Sequence, residues 1–127
     1  FSDAFHQVML TAIEPKIGQD TPMVVTRWPS EMAALAKVCE DDDCFAERFE
    51  IYYAQVELAN AFEELTDPVE QRQRFQEDQK IRKQLGKKPG DIDEDFLKSL
   101  ENMPPSAGIA LGFDRLMMII NHQKQIG

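Results

Sequence analysis

The stretch RFEIYYAQVELANAFEELTD, running from Arg48 to Asp67, decides how this chain folds. Two runs within it, RFEIYY and VELANAF, are rich in β-branched and aromatic residues and read as half-buried strands. Only Ala54 and Gln55 separate them. That length suits a two-residue hairpin turn, although neither residue is a strong turn former. Glu50, Glu57, Asn60, Glu63 and Glu64 sit among these apolar residues. A carboxylate in such a place costs free energy unless a cation or a donor meets it.

A turn at Ala54–Gln55 sets Tyr53 opposite Val56, Tyr52 opposite Glu57 and Glu50 opposite Ala59. Side chains alternate between faces, so Glu50 and Glu57 become diagonal neighbours on one face. Two carboxylates there repel, unless a hard cation such as Mg2+ sits between them. Glu57, Asn60 and Glu64 leave two arrangements open. Spacings of three and four put all three on one helical face. In a strand, Glu57 and Asn60 have opposite parity, and a bulge is needed to aim both inward. The bland reading is an exposed sheet face with solvated acids. The functional reading is a pocket for a cationic ligand, with Glu64 holding an ammonium, Asn60 a polar group, and Glu50 and Glu57 metal and nucleotide.

Around this hairpin the pattern mixes helices and strands. Ser2 is placed to cap a helix through Phe5, Val8, Met9, Ala12 and Ile13, with Gly18 past its end. PMVVTRW reads as a short strand, and Ser30 as the cap of a small helix, EMAALAKV. CEDDDC, Cys39 to Cys44, reads as a solvated loop with two free thiols, which fits a reducing cytoplasm. Asp67 and Pro68 start a polar outer helix, with Glu70 completing a capping box and Gly86 ending it. EDFLKSLEN forms a second, short helix. The order predicts an α+β domain with an antiparallel sheet and flanking helices.

Composition sets limits. At 127 residues this is one domain's worth of chain, and no apolar run approaches the ~18 residues of a membrane span. A net charge of −9 argues against general nucleic-acid binding, but leaves room for one local phosphate site. Phe1 is not an initiator methionine, and the start lacks the basic residues of a signal peptide. A processed product, or a piece of something longer, is expected.

GIALGFDRL, Gly108 to Leu116, is the second informative stretch. It reads as a strand with two glycines, Gly108 and Gly112, where a flat ligand can lie close, followed by an apolar helix opened by Asp114. Arg115 falls in the first helical turn, where the helix dipole prefers anions. A bound polyphosphate would resolve that conflict, and so would a plain Asp114–Arg115 surface pair. The glycine spacing matches neither a Walker loop nor a dinucleotide fingerprint.

Together, ERFEIYYAQVELANAFEELTD and GIALGFDRL resemble the C-terminal part of a class II lysyl-tRNA synthetase catalytic domain. Within that group the chain is most similar to the elongation factor P–lysine ligase family. EPKIG and PSEMAALAK also match, so the resemblance spans nearly the whole chain. It identifies residues 108–120 as the class II motif 3, and it places motifs 1 and 2 upstream of Phe1. It implies activation of lysine or (R)-β-lysine with ATP and Mg2+ as an adenylate, then ligation to a lysine of elongation factor P.

By position, the resemblance gives ATP contacts to Glu57, Leu58, Gly112 and Arg115, with Arg115 the catalytic residue at the terminal phosphates. It gives Mg2+ to Glu50 and Glu57, and the lysine substrate to Asn60, Glu64 and Ala110. Ala110 stands where lysyl-tRNA synthetases have glycine, and its methyl would crowd an α-amino group. Ala61 stands where both families have glycine, so its methyl would narrow the pocket or alter a bulge. The resemblance further implies a cytoplasmic homodimer when full length, a protein rather than a tRNA acceptor, and no activity for this piece alone. Two rivals remain: a fragment of a tRNA-charging enzyme, and a non-enzymatic lysine-binding module. No residue needs to act as general base, because a carboxylate is already a nucleophile, so His6 and His122 read as surface residues.

Overall fold

The computed structural model describes residues 2–123. Four strands, β1 (Met23–Pro29), β2 (Phe45–Tyr53), β3 (Val56–Glu63) and β4 (Ala107–Leu111), form one antiparallel sheet in the order β1-β2-β3-β4. Helices α1 (Ser2–Val8), α2 (Pro68–Gln84), α3 (Glu94–Leu100) and α4 (Phe113–Ile120) flank it. The α+β expectation holds. No helix among the described residues is long and apolar enough to cross a membrane.

The hairpin turn falls at Ala54–Gln55 as the spacing requires. Both residues take left-handed backbone, with φ of 51° and 63°. That is the pattern matching the twist of paired strands, reached here without asparagine or glycine, at a cost of about 1–2 kcal/mol per residue. The Gln55 side chain offsets part of this by donating to the Pro15 carbonyl at 3.0 Å.

One half of one sheet face is sealed by the N-terminal arm. Met9, Trp28 and Tyr52 form a buried cluster, against which Phe5, Ile17, Val25 and Met32 pack. Burying a side chain such as Met9 contributes about 1.5–3 kcal/mol. Gly18, at φ +61°, lies so close to β2 that a Cβ would come within 2.7 Å of the Tyr52 carbonyl. The arm is not the single helix expected. After α1 it loosens into a π-helical turn at Met9–Ile13 and a 3-10 turn at Glu14–Lys16. Pro15, which has no N–H to give, sits in that last turn. The Ser2 side chain and its cap lie outside the described residues.

Residues 30–38 also depart from expectation. Only Ser30–Met32 makes a 3-10 turn, without a side-chain cap. Ala34 turns at φ 52°, and the chain then runs extended, with Ala36 bridging Glu64 and Val38 bridging Ala46. Backbone groups of β3 and its continuation compete successfully for these residues: Lys37 N–H donates to the Glu63 carbonyl at 2.8 Å, and Leu65 N–H to the Leu35 carbonyl at 2.8 Å. Cys39 is buried, Cys44 is exposed, and both are free thiols.

Asp67 caps α2 by accepting from the N–H groups of Val69 and Glu70. The Glu70 carboxylate accepts from Arg74 at 2.6 Å, and Arg74 reaches on to the carbonyls of Ala34 and Ala36. The polar helix is therefore anchored from one side, where Gln71 is also buried. The Arg72–Glu94 ion pair joins α2 to α3.

Candidate active site

The hairpin register contains the bulge that the sequence left open. Tyr52 pairs with Glu57 but Ile51 pairs with Ala59, so Leu58 is the extra residue. Glu50 therefore stands opposite Asn60, not Ala59 as the regular count gives. With one residue inserted, Glu57 and Asn60 come to the face already carrying Glu50 and Tyr52. Glu64, two positions beyond Phe62, continues that face.

The same insertion fixes the strand–helix junction. A bulge turns two successive carbonyls toward one neighbour. The Leu58 carbonyl accepts from Gly112 N–H at 2.8 Å, and the Glu57 carbonyl from Arg115 Nη1 at 2.8 Å. The same Arg115 nitrogen donates to Glu57 Oε2 at 3.0 Å. Arg115, placed against the helix dipole in the first turn of α4, has its anion in Glu57 and not in Asp114.

β4 completes the row. Ala110 stands opposite Asn60 and Gly108 opposite Phe62, on the face of the acids. From the turn outward the order is Glu57 with Arg115, then Asn60 with Ala110, then Glu64 with Gly108. Ala110 and Arg115 are exposed, so the row is open to ligands. The Ala61 methyl is not part of it. Ala61 pairs with Phe49 and Ile109 and lines a cavity of ≈ 490 Å³ on the opposite face, so it does not narrow this site.

The acids differ in what meets them. Glu50, only 5% exposed, accepts from Arg48 Nη2 at 2.6 Å and from the Tyr52 hydroxyl at 2.6 Å. Arg48 also lies over the Trp28 ring at 4.8 Å and donates to the Met32 carbonyl. Burial, and then Glu50 itself, push the Tyr52 phenol well above its ordinary range. Glu63, on the other face, pairs with Lys37 at 3.1 Å. Glu64 has no ion pair among the described residues. Asn60 Oδ1 is buried and meets no hydrogen-bond donor among the described residues.

The sequence reading missed Arg48 and Tyr52 as partners of Glu50. Their signal was present, since residues at i−2 and i+2 in a strand share a face. His6 and His122 are exposed, as expected of surface residues.

The match to known proteins follows this geometry. A family model described as tRNA synthetases class II (D, K and N) matches residues 3–127. The chain belongs to that family. Relatives named elongation factor P–(R)-β-lysine ligase include one from Histophilus somni, 49% identical over 110 residues, covering 86% of this chain and 34% of the relative. One from Haemophilus influenzae is 51% identical over 108 residues, covering 84% and 33%. One from Pectobacterium atrosepticum is 45% identical over 119 residues, covering 92% and 37%. The chain thus spans about a third of the length of these relatives.

Proposed function

We propose that the full-length protein carrying this segment is a ligase. It activates (R)-β-lysine or lysine with ATP and Mg2+ as an adenylate, releasing pyrophosphate, and transfers the acyl group to the amine of a lysine of elongation factor P, releasing AMP. The observation that carries this reading is the contrast along the β3–β4 seam. One end offers Glu64, a carboxylate with no ion pair among the described residues, the middle offers the donor-starved Asn60 oxygen, and the other end offers an exposed arginine, Arg115, beside Glu57. A ligand with an amine at one end and a phosphate chain at the other would satisfy both ends.

Each residue then has a task. Glu64 holds the side-chain ammonium and Asn60 accepts from a polar N–H group of the substrate. Ala110, opposite Asn60, fills space that an α-amino group would need, which favours a β-amino acid. Arg115 exchanges the Glu57 carboxylate for the terminal phosphates. Glu57, released, and Glu50 supply hard oxygen donors suited to Mg2+. Glu50 accepts two hydrogen bonds of about four possible, so it retains lone pairs for that purpose. Gly112 and the Leu58 backbone border the nucleotide. Mg2+ would neutralise phosphate charge during in-line attack by the substrate carboxylate, and the protein contributes positioning and electrostatics. Motif 3 is assigned to residues 108–120. Motifs 1 and 2, and the homodimer, are assigned to the rest of the full-length cytoplasmic enzyme, without which this segment alone forms no adenylate.

The net charge of −9 favours a protein acceptor over tRNA. Full-length protein incubated with ATP, Mg2+ and labelled (R)-β-lysine or lysine should label elongation factor P. Labelling of tRNA with none on elongation factor P would assign the segment to a tRNA-charging enzyme instead.

A further inference from the structure

Gly108 has a more specific role than leaving room for a flat ligand. A Cβ built on Gly108 would lie 2.9 Å from Glu64 Oε1, and, its chain neighbours aside, no other heavy atom of the described residues comes within 4 Å of it. The space that glycine leaves is therefore taken by the Glu64 carboxylate, laid across the backbone of β4. Two other contacts fix the base of Glu64 but not its tip. Its N–H donates to the Ser106 carbonyl at 2.9 Å, and its backbone bridges Ala36. The carboxylate has no ion pair among the described residues to hold it. Gly108 is a surface on which that carboxylate rests.

We infer that Gly108 is a positioning residue for the amine-binding carboxylate: its missing side chain sets where Glu64 meets the substrate ammonium. This deepens the reading given above and rests on it. The geometry also says what breaks the device without breaking the fold. Ordinary contact begins at 3.4 Å, so a methyl at Gly108 displaces Oε1 by 0.5 Å, the difference from 2.9 Å. The atom that moves is the far end of a flexible side chain, and Gly108 has no left-handed φ to protect. Gly108→Ala is thus tolerated by the sheet while it misplaces the carboxylate by about the tolerance of a working binding site, roughly 0.5 Å.

The test is a double-mutant cycle in the full-length protein, with lysine and (R)-β-lysine as probes and elongation factor P labelling as readout. Gly108→Ala should raise KM for the amino acid by about tenfold, leaving KM for ATP and the thermal midpoint close to wild type. In a Glu64→Ala background the same change should have no further effect, because the clashing carboxylate is gone. If Glu64→Ala raises the amino-acid KM but Gly108→Ala leaves it unchanged, the positioning role is wrong and the site reading survives. Equal effects of Gly108→Ala with and without Glu64 also overturn it. If Glu64→Ala itself leaves that KM unchanged, the site reading fails first.

Discussion

The two ends of the β3–β4 seam treat their acids in opposite ways. On β2 and beside the turn, Glu50 and Glu57 each have an arginine, Arg48 and Arg115, and Glu50 has the Tyr52 hydroxyl besides. Among the described residues, Glu64 at the far end has no ion pair, and Asn60 Oδ1, midway along and level with Glu50, is buried without a donor. Glu50 is buried, where an unmet charge would threaten the fold, whereas the Glu57–Arg115 pair is partly exposed. Glu64 is half-buried and folds without an ion pair, while the buried Asn60 oxygen forgoes a hydrogen bond at a cost to the fold. A protein leaves such groups bare when something else is meant to meet them.

Removing Arg48 should produce the largest loss of stability. Arg48→Met strands the buried Glu50 carboxylate, and the full-length protein should lose about 3–5 kcal/mol in denaturant unfolding. A loss below about 1 kcal/mol would erase the distinction between the two ends. Glu64→Gln should do the reverse. It changes stability by less than about 0.5 kcal/mol, while affinity for the lysine-type substrate falls by about 1.5–3 kcal/mol in a calorimetric titration.

Tyr52→Phe tests the sealed end more gently, at about 1–2 kcal/mol. It also carries a pH signature. Burial and the Glu50 carboxylate raise the Tyr52 phenol above its ordinary value of 10.0. The native state therefore keeps a proton that the unfolded chain releases as pH rises past 10. The stability this contributes is complete below that pH and declines above it, and Tyr52→Phe should flatten the alkaline limb. Asp67→Ala gives the smallest effect, about 1 kcal/mol of unfolding free energy, because this acid is met only by the N–H groups of Val69 and Glu70.

The fold was largely legible because its main signals are local. The paired apolar runs, a two-residue gap, Asp67 before Pro68, and the glycine-bearing strand before an apolar helix each report on a few neighbouring residues. What escaped depends on distant partners. EMAALAKV has helical propensity, yet its backbone is claimed by Glu63 and Leu65, far along the chain. The long N-terminal helix loosened where packing against Trp28 and Tyr52 took precedence over regular spacing. In the site, spacing left a helical face and a bulged strand both open, and did not single out Leu58 as the bulged residue. The role of Gly108 was invisible, because a missing side chain does not say which group fills its place.

A crystal structure of the full-length protein with ATP, Mg2+ and (R)-β-lysine tests the central claim most directly. That structure should hold the side-chain amine within about 3 Å of Glu64, and the terminal phosphates on Arg115 in place of Glu57. An amine bound elsewhere, with Glu64 untouched and Arg115 still tied to Glu57, would contradict that claim.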